Sequence, residues 1–192
     1  MINLFQNYYE ENNVARRNEI DFCISKNMEN QDVNLILIES NTRMTYSDFF
    51  RIINNYTGSD DINIIANLDI YLNETIKLLT TMSHDQAFAI CRWELEKNGG
   101  LRFADRPDSQ DTWIFKGKIK NVFGDFNLGY CGCDNRIAYE IQKAGYLLKN
   151  PGKTIQTIHA HSSGIRNYKY KGKERKDFEV GPPYLTITPT TL

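Results

Sequence analysis

An α/β fold with a mostly parallel central sheet flanked by helices is the architecture this sequence predicts. Two apolar runs, VNLILIES at 33–40 and INIIANLDIYL at 62–72, are continuous enough for strands covered on both faces. Helical patterns separate the strand-like segments through the first half, as βαβ units require. A chain of 192 residues, 41% hydrophobic and 12% aromatic, also holds enough apolar surface for a single core.

The elements follow in order. INLFQNYY reads as an opening strand, and EENNVARRNEIDFCISKN as a helix whose apolar side carries Val14, Ile20, Phe22, Cys23 and Ile24. After VNLILIES, the segment TYSDFFRIINNYT begins with a capping Thr45 and spaces Phe49, Ile52, Ile53 and Tyr56 helically. INIIANLDIYL is the third strand, interrupted near its end by Asn67 and Asp69. ETIKLLTTM then reads as a short helix, and AFAICRWEL and TWIFKGKI as strands. CDNRIAYEIQKAGYLL is a helix stopped by Gly145, and KTIQTIHAHSS a last core strand. These elements make one domain over residues 1–165. Residues 166–192 change to a Lys- and Arg-rich, proline-bearing tail that either packs on the core or joins a further domain.

Charge and composition remove several classes of function. With 23 Lys and Arg against 24 Asp and Glu, the net charge of -1 lacks the footprint of a nucleic-acid binder. No apolar run is long enough to cross a bilayer, and the first residues lack a basic-then-apolar signal, so a cytoplasmic protein is expected. Four cysteines are too few for a disulfide scaffold and predict free thiols. Cys131 and Cys133 could join His159 and His161 around zinc, although a CxC departs from the usual CxxC spacing.

The chemistry concentrates at strand ends and in acidic loops. Strand alternation puts Asn67 and Asp69 on one face, where their oxygens suit a hard divalent cation; the competing reading is a polar strand terminus or an Asx turn. His159 and His161 share that spacing, and one ring could complete a metal shell; buried or surface structural histidines are the alternative. Asp105, Asp108 and Asp111 lie in the loop DRPDSQDTW, and Asp134 follows GYCGC at a helix start. Loop carboxylates suit general-base and sugar-hydroxyl roles, while Asp134 could equally be a helix cap. Trp93 and Trp113 offer aromatic faces to a pyranose or to the core, with Trp113 the better placed for sugar.

The segments IIANLDIYLNETI, AICRWE, DSQDTWIFKG and GCDNRIAYEIQKAGYLLKNPGKTIQTIHAHSSGIRNY resemble, in this order, motifs of small GT-A-like glycosyltransferases. Such domains belong to bacterial surface-polysaccharide loci and to the amino-terminal part of a large algal-virus (chlorovirus) protein that glycosylates the capsid. The resemblance spans roughly residues 1 to 170 and rests most on DSQDTWIFKG with GCDN. It implies a GT-A-like nucleotide-diphospho-sugar transferase fold and sugar transfer from a UDP-sugar to a glycan or glycoprotein acceptor, with Mn2+ or Mg2+. Cytoplasm would then be a host's if the protein is viral.

By position the resemblance puts Asn67 and Asp69 at the metal- and donor-binding site and His161 at a late metal-ligand site. Asn67 departs from a two-carboxylate pattern, which favours Asp69 as the direct ligand. The same resemblance places Tyr8 near the base, Arg16 near phosphates or ribose, Glu39 at the second strand's end, and Arg92, Asp108 and Trp113 around the donor. Arg16 and Arg17 diverge by about 100° on a helix, so at most one of them points inward. Asp134 is the candidate base of an inverting reaction, with Asp111 its competitor; in a retaining reaction Asp134 would orient donor or acceptor. Two other classes compete: a nucleotide-sugar hydrolase or nucleotidyltransferase using the same metal, and a non-catalytic nucleotide-sugar-binding module.

Overall fold

Period-two alternation builds the centre of the molecule. In a computed structural model of the chain, which describes residues 1–165 and 179–192, β1 (Ile2–Tyr8) points Leu4 to one face and Phe5 to the other, both fully buried. The same division recurs in β3 (Ile62–Ala66) with Ile64 and Ile65, and in β8 (Thr112–Lys116) with Ile114 against Trp113 and Phe115. A strand apolar on both faces needs cover on both, and each face carries its own core.

One core joins the sheet to α2 (Tyr46–Tyr56) and α3 (Cys133–Lys143), through Tyr46, Phe49, Ile53, Ile137 and Ile141. The other joins it to β4 (Ile70–Leu72) and a 3-10 helix (Glu74–Thr81), through Ile70, Leu72, Ile76 and Leu79. α1 (Val14–Glu29) lies against β4 and against β2 (Asn34–Glu39). Strand order in this six-stranded sheet is β2-β1-β3-β8-β5-β9, where β5 is Gln86–Ile90 and β9 is Leu147–Lys149. β1 pairs in parallel with β2 and β3, and β5 with β9, while β8 runs antiparallel to both of its neighbours. The sheet is therefore mixed, flanked by helices. A second sheet of four short strands has the order β4-β10-β6-β7, with β6 at Trp93–Leu95, β7 at Leu101–Phe103 and β10 at Thr157–His159.

Several sequence expectations change here for identifiable reasons. INIIANLDIYL is two strands in two sheets: the chain turns at Asn67-Leu68-Asp69, closed by the Ile70 amide on the Asn67 carbonyl at 3.2 Å. AFAICRWEL likewise divides between β5 and β6. β2 is an edge strand with Leu37 and Glu39 exposed, rather than covered on both faces. α1 buries Arg16, Glu19 and Asn27 beside Ile20 and Cys23, and leaves Val14 and Phe22 in solvent. Its inner face is polar because it serves hydrogen bonds: Asn27 donates to the Ile70 carbonyl and accepts from the Leu72 amide, fixing β4. The helix from Cys133 ends before Gly145 (φ 96°), and Leu147 and Leu148 enter β9 instead.

α2 forms as its sequence indicates, with the Thr45 hydroxyl and the Asp48 carboxylate capping each other's backbone amides. Residues 179–192 run along the core, with Val180 buried and the Leu185, Ile187 and Thr190 amides bonded to the Asn135, Pro107 and Asn150 carbonyls. The Lys- and Arg-rich stretch at 166–178 lies outside the described residues.

Candidate functional site

A cavity of about 510 Å³ opens where β1 and β3 end, the edge at which ligands meet parallel strands. Strand alternation delivers Asn7 and Tyr9 to it from the end of β1, and the turn after β3 delivers Asn67 and Asp69. The second sheet supplies the rest of this wall. Its register sets His159 opposite Glu94 on one side and Ile70, next to Asp69, on the other.

Through the cleft runs a chain of alternating charges. Arg92 donates to Asp111 Oδ2 at 2.7 Å and to Glu94 Oε1 at 2.6 Å. His159 bridges Glu94 Oε2 (Nδ1, 2.8 Å) and Asp69 Oδ2 (Nε2, 3.0 Å). Arg16 donates to the same Asp69 oxygen at 2.6 Å and to Glu19 at 3.1 Å. Ser162 and Ser163 hold Glu19 from the far end.

These contacts set the proton affinities. Burial raises that of Asp69, but the His159 hydrogen bond and the charges of His159 and Arg16 outweigh it and hold the carboxylate below its usual range. Glu94 is likewise brought down to about 2 against its burial, by hydrogen bonds from His159 and Arg92. Burial pulls His159 down, yet bonds to Asp69 and Glu94 push it up to about 9, an imidazolium with both N–H groups engaged. His161 moves the other way: burial and the charges of Arg16 and His159 lower it. Its ring stacks on His159 with centroids 5.3 Å apart, and its Nδ1 lies 2.5 Å from Arg16 Nη1.

The opposite wall is built on the α3 start. Gly132 occupies the N-cap position in the left-handed region (φ 90°), so Asp134 is not the helix cap. Its carboxyl instead accepts from the Gln110 amide (3.3 Å) and the Cys133 thiol (3.1 Å), and it lines the cavity. Burial, then the nearby Asp111 charge, raises Asp134 to about 7. Asp111 is itself tied through both oxygens, to Asn67 Nδ2 (3.0 Å) and to Arg92.

Among the described residues, Asp69, His159 and His161 form a group able to hold a metal ion, with ligand atoms within 4.8 Å of one another. His159 turns both ring nitrogens to carboxylates, Nδ1 to Glu94 and Nε2 to Asp69. Asp69 Oδ1 is buried without a hydrogen-bond partner, and the lowered proton affinity of His161 favours a ring with a lone pair, so one carboxylate oxygen and one imidazole fit a divalent ion completed by ligand oxygens.

Most expected site residues meet at this cavity: Arg16, Asn67, Asp69, Arg92, Asp108, Asp111, Asp134 and His161 line it. Asp69 and His161, about ninety residues apart in sequence, come within 3.9 Å. Of the adjacent pair, Arg16 points inward while Arg17 bonds the Glu11 carbonyl at the surface. Three assignments are corrected. Trp113 is 1% exposed in the α2/α3 core, edge-on to Tyr46, and presents no face to a sugar. Tyr8 and Glu39 are register partners on β1 and β2; neither lines the cavity, because alternation turns Asn7 and Tyr9 toward it instead. The other tryptophan, Trp93, packs on Phe103 and donates to the Gly152 carbonyl. The cysteines are free, and Cys133 faces Tyr46 and Asp134 rather than the histidines, so the zinc arrangement does not form.

Sequence reading missed Glu19, Glu94 and Arg43. Glu19 sits one helical turn after Arg16 and Glu94 two residues after Arg92, spacings that pair charges but do not say they are buried. Arg43 bonds the Leu128 and Gly129 carbonyls and covers the Tyr130 ring, contacts across 85 or more residues that no local pattern reports.

No protein-family model and no curated protein matches this sequence. Among solved structures, a glycosyltransferase involved in the glycosylation of the major capsid of PBCV-1 aligns over 84% of this chain and 94% of its own, at 10% identity and a TM-score of 0.44. Residue roles do not carry over at that identity.

Proposed function

We propose that this chain is a GT-A-like glycosyltransferase that moves a sugar from a nucleoside diphosphate sugar, a UDP-sugar first among them, to a hydroxyl of a glycan or glycoprotein acceptor. The observation that carries the proposal is one cavity holding three kinds of group. Asp69 and His161 form a cation-binding pair, the guanidiniums of Arg16, Arg43, Arg92 and Arg106 suit phosphate oxygens, and Asp134 is a carboxyl raised to about 7. The volume falls within the range of cofactor-sized sites.

Each requirement of sugar transfer finds a group here. Mn2+ or Mg2+ held by Asp69 and His161, with Asn67 beside them, would neutralise charge on the departing diphosphate. Arg16 and Arg92 orient that diphosphate, and both are themselves fixed by buried carboxylates. Asp134 accepts the acceptor's proton in an inverting reaction. Its raised affinity for protons suits a base working near neutral pH, whereas Asp111 is held in an ion pair with Arg92. Asp108, which lines the cavity beside its partner Arg106, would meet a sugar hydroxyl.

The test is a panel of UDP-, GDP- and dTDP-sugars screened with Mn2+ for thermal stabilisation, followed by assay of acceptor-dependent nucleotide release. A donor that raises the melting temperature and releases nucleotide only with an acceptor supports the reading. Release without an acceptor would assign the site to hydrolysis, and no stabilisation by any nucleotide sugar would remove the proposal.

A further inference from the structure

Arg16 stands where the cation would bind. Its guanidinium holds Asp69 Oδ2 at 2.6 Å and His161 Nδ1 at 2.5 Å, one lone pair from each of the two expected ligands. A divalent ion sits about 2.0 to 2.2 Å from oxygen or imidazole nitrogen, so it cannot take His161 Nδ1 while the guanidinium does, and Asp69 is left with only its unpartnered Oδ1 to offer. Charge gives the same answer. Asp69 already carries the permanent charge of the Arg16 guanidinium on one oxygen. Adding a dication to that pocket without an incoming anion is unfavourable in a low-dielectric cleft.

The helix also gives Arg16 somewhere to stay. Glu19, 3.1 Å from Nη1 and secured by Ser162 and Ser163, keeps a carboxylate on the guanidinium if Asp69 is withdrawn. We infer that Arg16 is a plug on the cation site which a diphosphate removes: phosphate oxygens replace Asp69 as its partner, and Asp69 and His161 are then free to take the metal. Cation and nucleoside diphosphate therefore load together, and the free protein holds Mn2+ weakly. This rests on the proposed cation-and-diphosphate reading of the cavity, and it makes Arg16 a residue that determines the order of binding.

The experiment measures Mn2+ uptake by electron paramagnetic resonance of the free ion, using the full chain alone and with saturating UDP. Wild type, Arg16→Gln and Arg16→Lys are compared. Arg16→Gln binds Mn2+ alone roughly tenfold or more tighter than wild type, a change within the ordinary range of coupling between sites. Arg16→Lys, a point charge that cannot span both ligands, falls between them. UDP strengthens Mn2+ binding more in wild type than in Arg16→Gln. Should Arg16→Gln fail to fold, the wild type decides the matter by nitrogen-15 spectroscopy: the Arg16 Nε–H signal, identified by its loss in Arg16→Lys, shifts on adding UDP in EDTA.

Equal Mn2+ affinity in wild type and variants, with UDP still promoting uptake, overturns the role of Arg16 and leaves the proposed function standing. An Arg16 signal that ignores UDP overturns it as well. Absence of Mn2+ uptake in every form, with and without UDP, overturns both this inference and the cation in the proposed function.

Discussion

Asp69 and Asp134 line the same cavity, and burial acts on both in the same direction, toward the protonated form. They end far apart. Asp69 receives an arginine and an imidazolium on one oxygen and stays ionised below the usual carboxylate range. Asp134 receives a backbone amide and a thiol, with the Asp111 charge close by, and rises to about 7. Two carboxylates in one cleft are thus assigned a permanent charge and a titratable proton site by their partners, not by depth.

The largest expected effect comes from breaking the ionised side. Asp69→Ala leaves Arg16 and His159 buried without their shared anion, which should cost about 3 to 5 kcal/mol of stability, read by chemical denaturation, and remove nucleotide-dependent Mn2+ binding. Asp134→Asn is the opposite case, nearly isosteric and already half neutral near pH 7. It should keep or raise the melting temperature at pH 8 while lowering kcat by roughly 10²- to 10⁴-fold in the acceptor-dependent assay. Equal losses of stability from the two substitutions would erase the contrast.

Protonation sharpens it further. Activity in wild type should rise as pH increases through about 7, where Asp134 becomes a competent base. Stability runs differently, through Glu94 and His159. Glu94, lowered from 4.5 to about 2, contributes above pH 4.5 and loses that contribution as pH falls toward 2. His159, raised from 6.5 to about 9, contributes fully below pH 6.5 and loses it as pH rises through 9. Asp134 acts in the same sense as His159, since a carboxyl raised in the fold loses stability as pH climbs from about 4 to 7. The melting temperature should therefore peak near pH 4.5 to 6.5, below the activity maximum; coincident maxima in a pH series would contradict the assignment.

The smallest effects test placement. Glu39→Ala, exposed at the sheet edge, should leave donor affinity unchanged and stability within about 0.5 kcal/mol. Trp113→Ala should lower stability by about 3 to 5 kcal/mol, through its contacts with Tyr46 and the α2/α3 core, with donor affinity of the folded fraction retained. A selective loss of donor binding in either would return that residue to the site.

Much of this was legible locally. The β1-α1-β2 unit, the Thr45–Asp48 cap of α2 and the polar break at Asn67 and Asp69 each express a short-range rule that needs only neighbouring residues. Strand ends were harder. The apolar runs at 62–72 and 86–95 look continuous, and nothing in their composition says that each crosses between two sheets. Alternation also predicts which residues share a face, but not which face meets the cavity, so Tyr8 was favoured where Asn7 and Tyr9 are the lining residues.

The sequence by itself determined the α/β class, the stretches that carry chemistry and the list of carboxylates, arginines and histidines able to act. Only the tertiary structure decided what each of them is. His159 became an imidazolium because Glu94, 65 residues away, and Asp69, 90 residues away, close on its two nitrogens. Asp69 kept its charge because Arg16 reaches it from α1, 53 residues away in sequence. A side chain's proton affinity is fixed by the charges and solvent within a few ångströms, and in this cleft those neighbours come from β1, α1, β6, β10 and the turn after β3.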